Sequence, residues 1–258
     1  MAIRNLSSEL ERIAGDRKIK TSVFLLHKIS FAKRRYLQQN PADAEEVDAL
    51  TSGMKIKSLA ALREEINSKI SKYREEKKEA ERKIVELTAQ KIMRGSVVFL
   101  YGDSPLVSKA LKIANSRGIN FYVYTADSGP SFDGRKAAEE ISSAKIPVKH
   151  FPDILLPEAL SKADILFFEP EAVTKEGKII ASAGINNILS EAKKRKVFSY
   201  CVFNKGDAKR SAETANQYET KNNAIFVKAG KEEAALSGIT AVINEYGIIK
   251  PSDFSRIL

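Results

Sequence analysis

The feature that most constrains this fold is an alternation of short apolar runs with amphipathic stretches, which begins after Arg94-Gly95. Runs of strand length occur at 97–101, 121–125 and 164–168, and segments with a three- to four-residue apolar period separate them. A strand that is apolar on both faces needs helices on both sides, as in a parallel sheet. The sequence therefore predicts an α/β domain whose ligands would bind at the carboxyl ends of the strands.

The same patterns predict the remaining elements of this region. Further strands are expected at 147–151, 197–203 and 225–228, and helices at 105–116, 134–143, 157–162, 185–194 and 236–245.

Residues before 95 show no strand pattern and predict helices. Ser7 or Ser8 is expected to cap a first helix and Thr21 a second. From Ser58 to Met93 apolar residues recur at helical spacing without Pro or Gly, which predicts one long helix. A helical bundle is favoured over a coiled coil. The expected domains are thus 1–94, helical with a long connecting helix, and 95–258, α/β.

The excess of positive charge is concentrated in the amino-terminal third of the chain. The chain has a formal net charge of +10 and a pI near 9.5, and residues 1–95 carry +7 of it. A basic face of this kind could meet RNA or an acidic protein, but a solvated lysine-rich surface is the favoured interpretation. RNA is therefore an open partner class and not the favoured one.

Several protein classes are excluded by what the sequence lacks. No apolar run approaches the roughly 18–20 residues that span a bilayer, and the first residues do not resemble a signal peptide. One cysteine and two histidines rule out a disulfide scaffold and a multi-histidine metal site. Neither a dinucleotide fingerprint nor a phosphate-binding glycine loop is present. We expect a cytoplasmic protein without metal, cofactor or membrane association.

Three loops at the predicted carboxyl ends of strands hold the candidate binding residues. They are 101–105, 125–130 and 169–172, and each joins a strand to a helix or turn. Small residues and hydroxyls there could bind a phosphate, although ordinary turns use the same residue types. The candidate ligand-binding residues are Gly102, Asp103, Ser104, Asp127, Ser128, Arg135, Glu171 and Ser182. Cys201, in the middle of a strand, is interpreted as a buried small hydrophobe, and His150 as a structural histidine.

These loops resemble the alpha, beta and delta regulatory subunits of translation initiation factor 2B and the sugar-phosphate isomerases related to them. The segment 98–107 is similar to the family strand that ends in a Thr-His-x-x-Ser loop, and 120–130 to its Glu-Ser-Arg-Pro stretch. The segments 163–173 and 242–251 are similar to its Gly-Ala-Asp/Glu segment and to its closing helix with Gly-x-x-x-Pro. The resemblance implies an amino-terminal helical domain and a carboxyl-terminal Rossmann-like domain.

Departures from the isomerase pattern weigh against catalysis. The resemblance puts Gly102 at the position of the catalytic cysteine and Glu171 at that of the catalytic aspartate. It puts Gly129 at the position of the phosphate-binding arginine, and Ala181 and Ser182 at an Asn-Lys pair. Loss of a thiol acid/base and of a guanidinium that binds anions should disable the reaction.

The resemblance therefore implies a non-catalytic protein that acts in translation initiation through protein–protein contacts. It implies a homodimer formed through the carboxyl-terminal domain, and the alpha subunit of initiation factor 2 as a partner. The alternative is a divergent sugar-phosphate isomerase, or a sensor of a phosphosugar or nucleotide. That alternative would use Ser104, Asp127, Ser128, Arg135, Glu171 and Ser182.

Overall fold

The structure is a computed structural model that describes residues 2–129, 131–174, 177–205, 216–221, 224–228 and 230–256. The chain divides into two compact units, Met1–Glu79 and Ala80–Leu258. The long helix predicted from the sequence continues across this division. The expected change of domain near residue 95 stays a prediction.

The first unit is helical, as predicted. Its helices are α1 (Ala2–Gly15), α2 (Ser22–Gln39), α3 (Ala44–Thr51) and the first part of α4 (Leu59–Ala89). Leu10, Leu25 and Leu62, from three of these helices, are buried in one apolar core. The unit is stabilised because each amphipathic helix packs its apolar face against that core.

Helix ends test the capping predictions. Thr21 caps α2, because its side chain accepts a hydrogen bond from the backbone N–H of Phe24. The predicted cap at Ser7 or Ser8 is wrong: α1 begins at Ala2, so both serines lie inside the helix.

The predicted long helix is confirmed over Leu59–Ala89. Across the described ranges, no helix is both long and apolar enough to cross a membrane.

The second unit is built on a seven-stranded sheet. Its strands are β1 (Val97–Tyr101), β2 (Tyr122–Ala126), β3 (Val148–Phe151), β4 (Ile165–Phe168), β7 (Phe198–Val202), β11 (Ala241–Asn244) and β12 (Gly247–Ile249). Their order is β12-β11-β7-β4-β1-β2-β3, and every pairing is parallel except that of β11 with β12. The chain moves outward from β1 in one direction and then, from β4, in the other. The crevice between the loops after β1 and β4 is therefore the expected ligand position.

Helices cover both faces of this sheet, as strands that are apolar on both sides require. They are α5 (Pro105–Ser116), α6 (Asp133–Ser143), α7 (Leu156–Ser161) and α8 (Ile185–Lys194). Val98 and Leu100 are buried in one apolar core together with α5 residues. Phe99 and Tyr101, on the other face, are buried with residues of α7 and α8. The α/β class with a mostly parallel sheet is thus confirmed.

The predicted helix at 236–245, and the closing helix implied by the family resemblance, are wrong. Only Leu236–Gly238 forms a short 3-10 turn, and β11 follows it. The apolar run Ala241–Ile243 is buried on both faces and pairs with β7. Burial and pairing in the sheet therefore outweigh the helical periodicity of its sequence.

Some strands were not predicted. β5 (Ala172–Val173), β6 (Ile179–Ala181) and β10 (Glu232–Glu233) form a small antiparallel sheet in the order β10-β6-β5. The strand expected at 225–228 is present as β9 (Ala224–Lys228), but among the described residues its partner is β8 (Gln217–Lys221) and not a strand of the main sheet. Strands this short are poorly marked by hydrophobic periodicity.

Candidate functional site

Ser104 lies at the crevice between β1 and β4. Its side chain accepts the backbone N–H of Val107 at 3.3 Å and so caps α5. The same hydroxyl donates to Oε2 of Glu169, the first residue after β4, at 2.7 Å. Ser104 is fully buried. Its hydroxyl therefore links the loop after β1 to the loop after β4, and it is hydrogen-bonded both as an acceptor and as a donor.

Gly102 and Asp103 precede Ser104 in the loop after β1. Gly102 adopts a left-handed conformation, with φ of +78°, and its N–H donates to Oγ of Ser128 at 3.1 Å. Asp103 forms an ion pair with Nζ of Lys136 at 2.8 Å, which raises the pKa of that lysine. The carboxylate thus neutralises a cation at the rim of the crevice.

Asp127 and Arg135 also form an ion pair. Nε of Arg135 donates to Oδ1 of Asp127 at 2.7 Å, and Nε2 of His150 lies 3.0 Å from the same oxygen. Hydrogen bonds from Arg135 and then from His150 hold the pKa of Asp127 below its usual value. The guanidinium of Arg135 also lies 5.2 Å from the centre of the Phe132 ring. Arg135, a candidate anion ligand, is therefore directed onto a carboxylate of its own chain.

Two adjacent backbone N–H groups in the loop after β2 bind a carboxylate. Those of Ser128 and Gly129 each donate to Asp153 at 2.8 Å. Gly134 keeps the start of α6 close to the strand: a Cβ placed there would lie 1.7 Å from the carbonyl oxygen of Ala126. Pro130, part of the motif noted in this loop, lies outside the described residues.

The start of α8 binds a second carboxylate. Gly184 has φ of +88°, and its N–H donates to Oε1 of Glu232 at 2.9 Å. The N–H of Asn186 donates to Oε2 of the same side chain at 3.3 Å. The first N–H groups of a helix carry partial positive charge and favour an anion. Here a residue of β10 supplies that anion.

Glu171 and Ser182 lie beside the small antiparallel sheet. The carboxylate of Glu171 is 2.6 Å from Nζ of Lys231 and accepts a long hydrogen bond, 3.4 Å, from Oγ of Ser182. Tyr101, at the end of β1, connects this region with the main sheet, since its hydroxyl donates to the carbonyl oxygen of Ala183 at 2.6 Å. Burial raises the pKa of Tyr101.

The structure therefore brings the candidate residues together in two groups. The group at the crevice contains Gly102, Asp103, Ser104, Asp127, Ser128 and Arg135, and the second contains Glu171 and Ser182. Of their partners, Glu169 lies in the loop 169–172 that the sequence indicated but was not among the candidate residues, and sequence reasoning missed Asp153, Lys231 and Glu232 altogether. Asp153 and Glu169 follow the carboxyl ends of β3 and β4, which could have identified them, whereas no pattern marks Lys231 or Glu232.

Cys201 does not take part in this site as a nucleophile. It is fully buried in β7, and burial together with the charge of Glu169 raises the pKa of its thiol. A reactive cysteine instead needs an electropositive, partly exposed environment. Nor does any group of three or more His, Cys, Asp or Glu side chains suited to a metal ion occur among the residues that the structure describes.

The fold is that of a protein with a helical unit followed by a Rossmann-like α/β unit. The loops after β1 and β4 of the second unit form a crevice at a topological switch point. The model of the Initiation factor 2 subunit family matches residues 3–246, so the chain belongs to that family. A protein of Pyrococcus furiosus described as translation initiation factor eIF-2B subunit 2-like is 24% identical over 195 residues. That match covers 73% of this chain and 70% of the relative.

Solved structures share the fold. The crystal structure of 5-methylthioribose 1-phosphate isomerase from Pyrococcus horikoshii OT3 has a TM-score of 0.77 and 13% identity. The likeness covers 97% of this chain and 79% of that one. A chain of the tetrameric eIF2B-beta2-delta2 complex from C. thermophilum has a TM-score of 0.65 and 18% identity, covering 93% and 90%. At these identities the likeness shows the fold alone.

Proposed function

We propose that this protein is a non-catalytic initiation factor 2B-like protein that acts in translation initiation through protein–protein contacts in the cytoplasm. The observation that carries the proposal is that the chain's own carboxylates occupy two groups of backbone N–H donors. Asp153 accepts those of Ser128 and Gly129, and Glu232 accepts that of Gly184. A substrate phosphate would have to displace tethered anions from both places.

The side chains at the crevice and beside the small antiparallel sheet support the same proposal. Lys136, Arg135 and Lys231 each form an ion pair with a nearby carboxylate. By resemblance, glycine stands where the isomerases have a catalytic cysteine, and the chain's one cysteine is buried in β7. Because the Cys201 thiol is inaccessible and these three cations are paired, the site lacks a free thiol for proton transfer and, among these three, a free cation for phosphate binding.

The enzymatic test is direct. The purified full chain is incubated with ribose 1,5-bisphosphate or with methylthioribose 1-phosphate, and the anomeric proton is followed by NMR. An authentic 5-methylthioribose 1-phosphate isomerase serves as the positive control. We expect no conversion above the buffer rate. Conversion of either substrate would overturn the non-catalytic assignment.

Exposed apolar residues support contacts with another protein. Phe132, Ile154 and Leu155 are all exposed, and they flank the contact between Asp153 and the loop after β2. Clustered exposed apolar side chains of this size often mark interaction sites. We propose that the α/β domain, residues 95–258 as predicted, forms a homodimer. The tetrameric assembly of a related chain agrees with self-association.

Light scattering coupled to size exclusion tests the dimer. The full chain should elute with the mass of two copies, and Ile154→Glu with Leu155→Glu should shift it toward one copy. Ile56→Glu, at an exposed apolar residue of the helical unit, is the matched control and should not change the mass. Co-elution with the alpha subunit of initiation factor 2, mixed at equal concentrations, tests the second proposed partner. Separate elution would contradict that partner.

The alternative, a divergent isomerase or a phosphosugar or nucleotide sensor, has one observation in its favour. Lys231, Glu171 and Ser182 place a cation, a carboxylate and a hydroxyl together beside β6. A thermal-shift series with sugar phosphates and nucleotides distinguishes the alternatives, because a ligand that binds the folded state raises the melting temperature by mass action. A saturable increase would favour the sensor, and no change near millimolar ligand would favour the non-catalytic proposal.

A further inference from the structure

The amino-terminal unit contains a groove that the proposed function does not use. It has a volume of about 680 Å³ and is lined by the end of α1, the turn that follows it and one face of α2. Lys28, Phe31 and Arg35 line it from α2, and their spacing of three and four residues places them on one side of that helix. The groove is therefore a continuous surface formed by consecutive segments of the chain.

Positive charge is concentrated around this groove. Residues 1–40 contain nine basic and three acidic side chains, a net charge of +6, which is nearly all of the excess in residues 1–95. The cations lining the groove are Arg12, Arg17, Lys18, Lys28 and Arg35, and the acids are Glu9 and Asp16.

The acids do not neutralise all of these cations. Oε1 of Glu9 lies 2.5 Å from Nη2 of Arg35 and 4.0 Å from Nη2 of Arg12. Within the described residues, no salt bridge engages Arg17, Lys18 or Lys28. The surface consequently presents three cations that an external polyanion could neutralise.

Aromatic rings are exposed on the same side of α2. Phe31 is 60% exposed and Phe24 is 47% exposed. They are seven residues apart, which is about 10.5 Å along the helix. Nζ of Lys28 lies 5.4 Å from the centre of the Phe24 ring. Exposed rings interleaved with cations form the stacking platform on which single-stranded nucleic acids bind.

We propose that this groove binds single-stranded nucleic acid, RNA in the setting of translation. Arg17, Lys18 and Lys28 bind phosphates, and Phe31 stacks against a base. An acidic protein segment would neutralise the cations but would leave the rings without a planar partner, so the observations favour a polynucleotide. The inference does not depend on the crevice in the α/β unit or on any protein partner, and only the choice of RNA rests on the proposed function.

Fluorescence anisotropy of a labelled oligouridylate, titrated with the full chain over a series of salt concentrations, tests this inference. Binding should weaken linearly in log K against log salt. Phe31→Ala should raise the Kd at least about fivefold, since stacking contributes about 1 kcal/mol or more per base. Arg17→Glu with Lys18→Glu should flatten the salt slope by about 1.4, the loss of two phosphate contacts.

The matched control is Lys162→Glu with Lys193→Glu, an equal change of charge at exposed lysines of the other unit, which should leave affinity and slope unchanged. Phe31→Tyr should retain affinity and Phe31→Leu should lose it, which separates stacking from a loss of folding. Absence of binding at low salt, or equal affinity for the Tyr and Leu variants, would overturn the proposal. Competition by polyglutamate as effective as that by oligouridylate would also overturn it, in favour of an acidic protein.

Discussion

The carboxylate of Glu232 lies across the start of α8, where it accepts the backbone N–H of Gly184 at 2.9 Å and that of Asn186 at 3.3 Å. Such donors, at the positive end of a helix, ordinarily favour phosphate or another free anion. In this chain the anion is covalently tethered through β10, so its local concentration is high and constant. An external phosphate is therefore at a disadvantage at this helix.

Replacing Glu232 by alanine should open this position. We expect Glu232→Ala to lower the free energy of unfolding by about 1 kcal/mol, the usual value of a helix cap. We also expect inorganic phosphate to raise the melting temperature of the variant more than that of the wild type, since the freed donors can bind it. Thermal melts with and without phosphate measure both effects.

The matched control is Glu233→Ala, because Glu233 is the neighbouring residue and its side chain forms an exposed ion pair with Lys178 at 3.0 Å, while its backbone contacts do not depend on the side chain. That pair should contribute little to stability. A phosphate effect equal in both variants would mean that Glu232 does not compete with anions at α8.

The parallel sheet could be predicted from the sequence, but the carboxylates that accept hydrogen bonds from the backbone N–H groups of its loops could not. Each apolar strand is a local pattern, and β1 and β4 lie where their sequences indicate. Glu232, in contrast, is 48 residues from Gly184, and Asp153 is 25 residues from Ser128. Which acid reaches a distant backbone depends on the completed tertiary structure, so the candidate loops were identified without their partners.

Gly134 is required by the close approach of α6 to β2. A Cβ at this position would lie 1.7 Å from the carbonyl oxygen of Ala126, a backbone atom that cannot move away cheaply. We expect Gly134→Ala to lower the free energy of unfolding by about 1–3 kcal/mol, the range for overpacking. Gly15→Ala, where a Cβ meets nothing within 4 Å, is the control and should be neutral or slightly stabilising. Urea unfolding followed by circular dichroism compares them, and equal stability of the two variants would contradict this account of the helix–strand contact.

Asp127 should make stability depend on pH in the acid range. Arg135 and His150 hold its pKa below the ordinary value of 3.8, so the folded state favours the charged carboxylate. The resulting stability is present above that ordinary value and is lost as the pH falls through the lower, folded-state pKa. We expect Asp127→Asn to be less stable than the wild type near neutral pH, and the difference to shrink below about pH 4.

Thermal melts across the acid range measure this difference. Glu139→Gln, at an exposed acid of α6, is the control and should not reproduce the pH dependence. A gap between Asp127→Asn and the wild type that stays constant down to about pH 3 would contradict the role of the Asp127 ion pair.

Cys201 should be chemically inert while the protein is folded. Its side chain is fully buried in β7, and burial raises the pKa of the thiol, so both access and the thiolate fraction are low. We expect the native chain to react with a disulfide reagent only at the rate of unfolding, and the chain in guanidinium to release one equivalent of reporter thiolate from its one cysteine. Cys201→Ala should abolish the reaction in both conditions, which identifies the site. Rapid labelling of the native protein would show that a thiolate reaches solvent, and the non-catalytic assignment would then lose the argument based on Cys201.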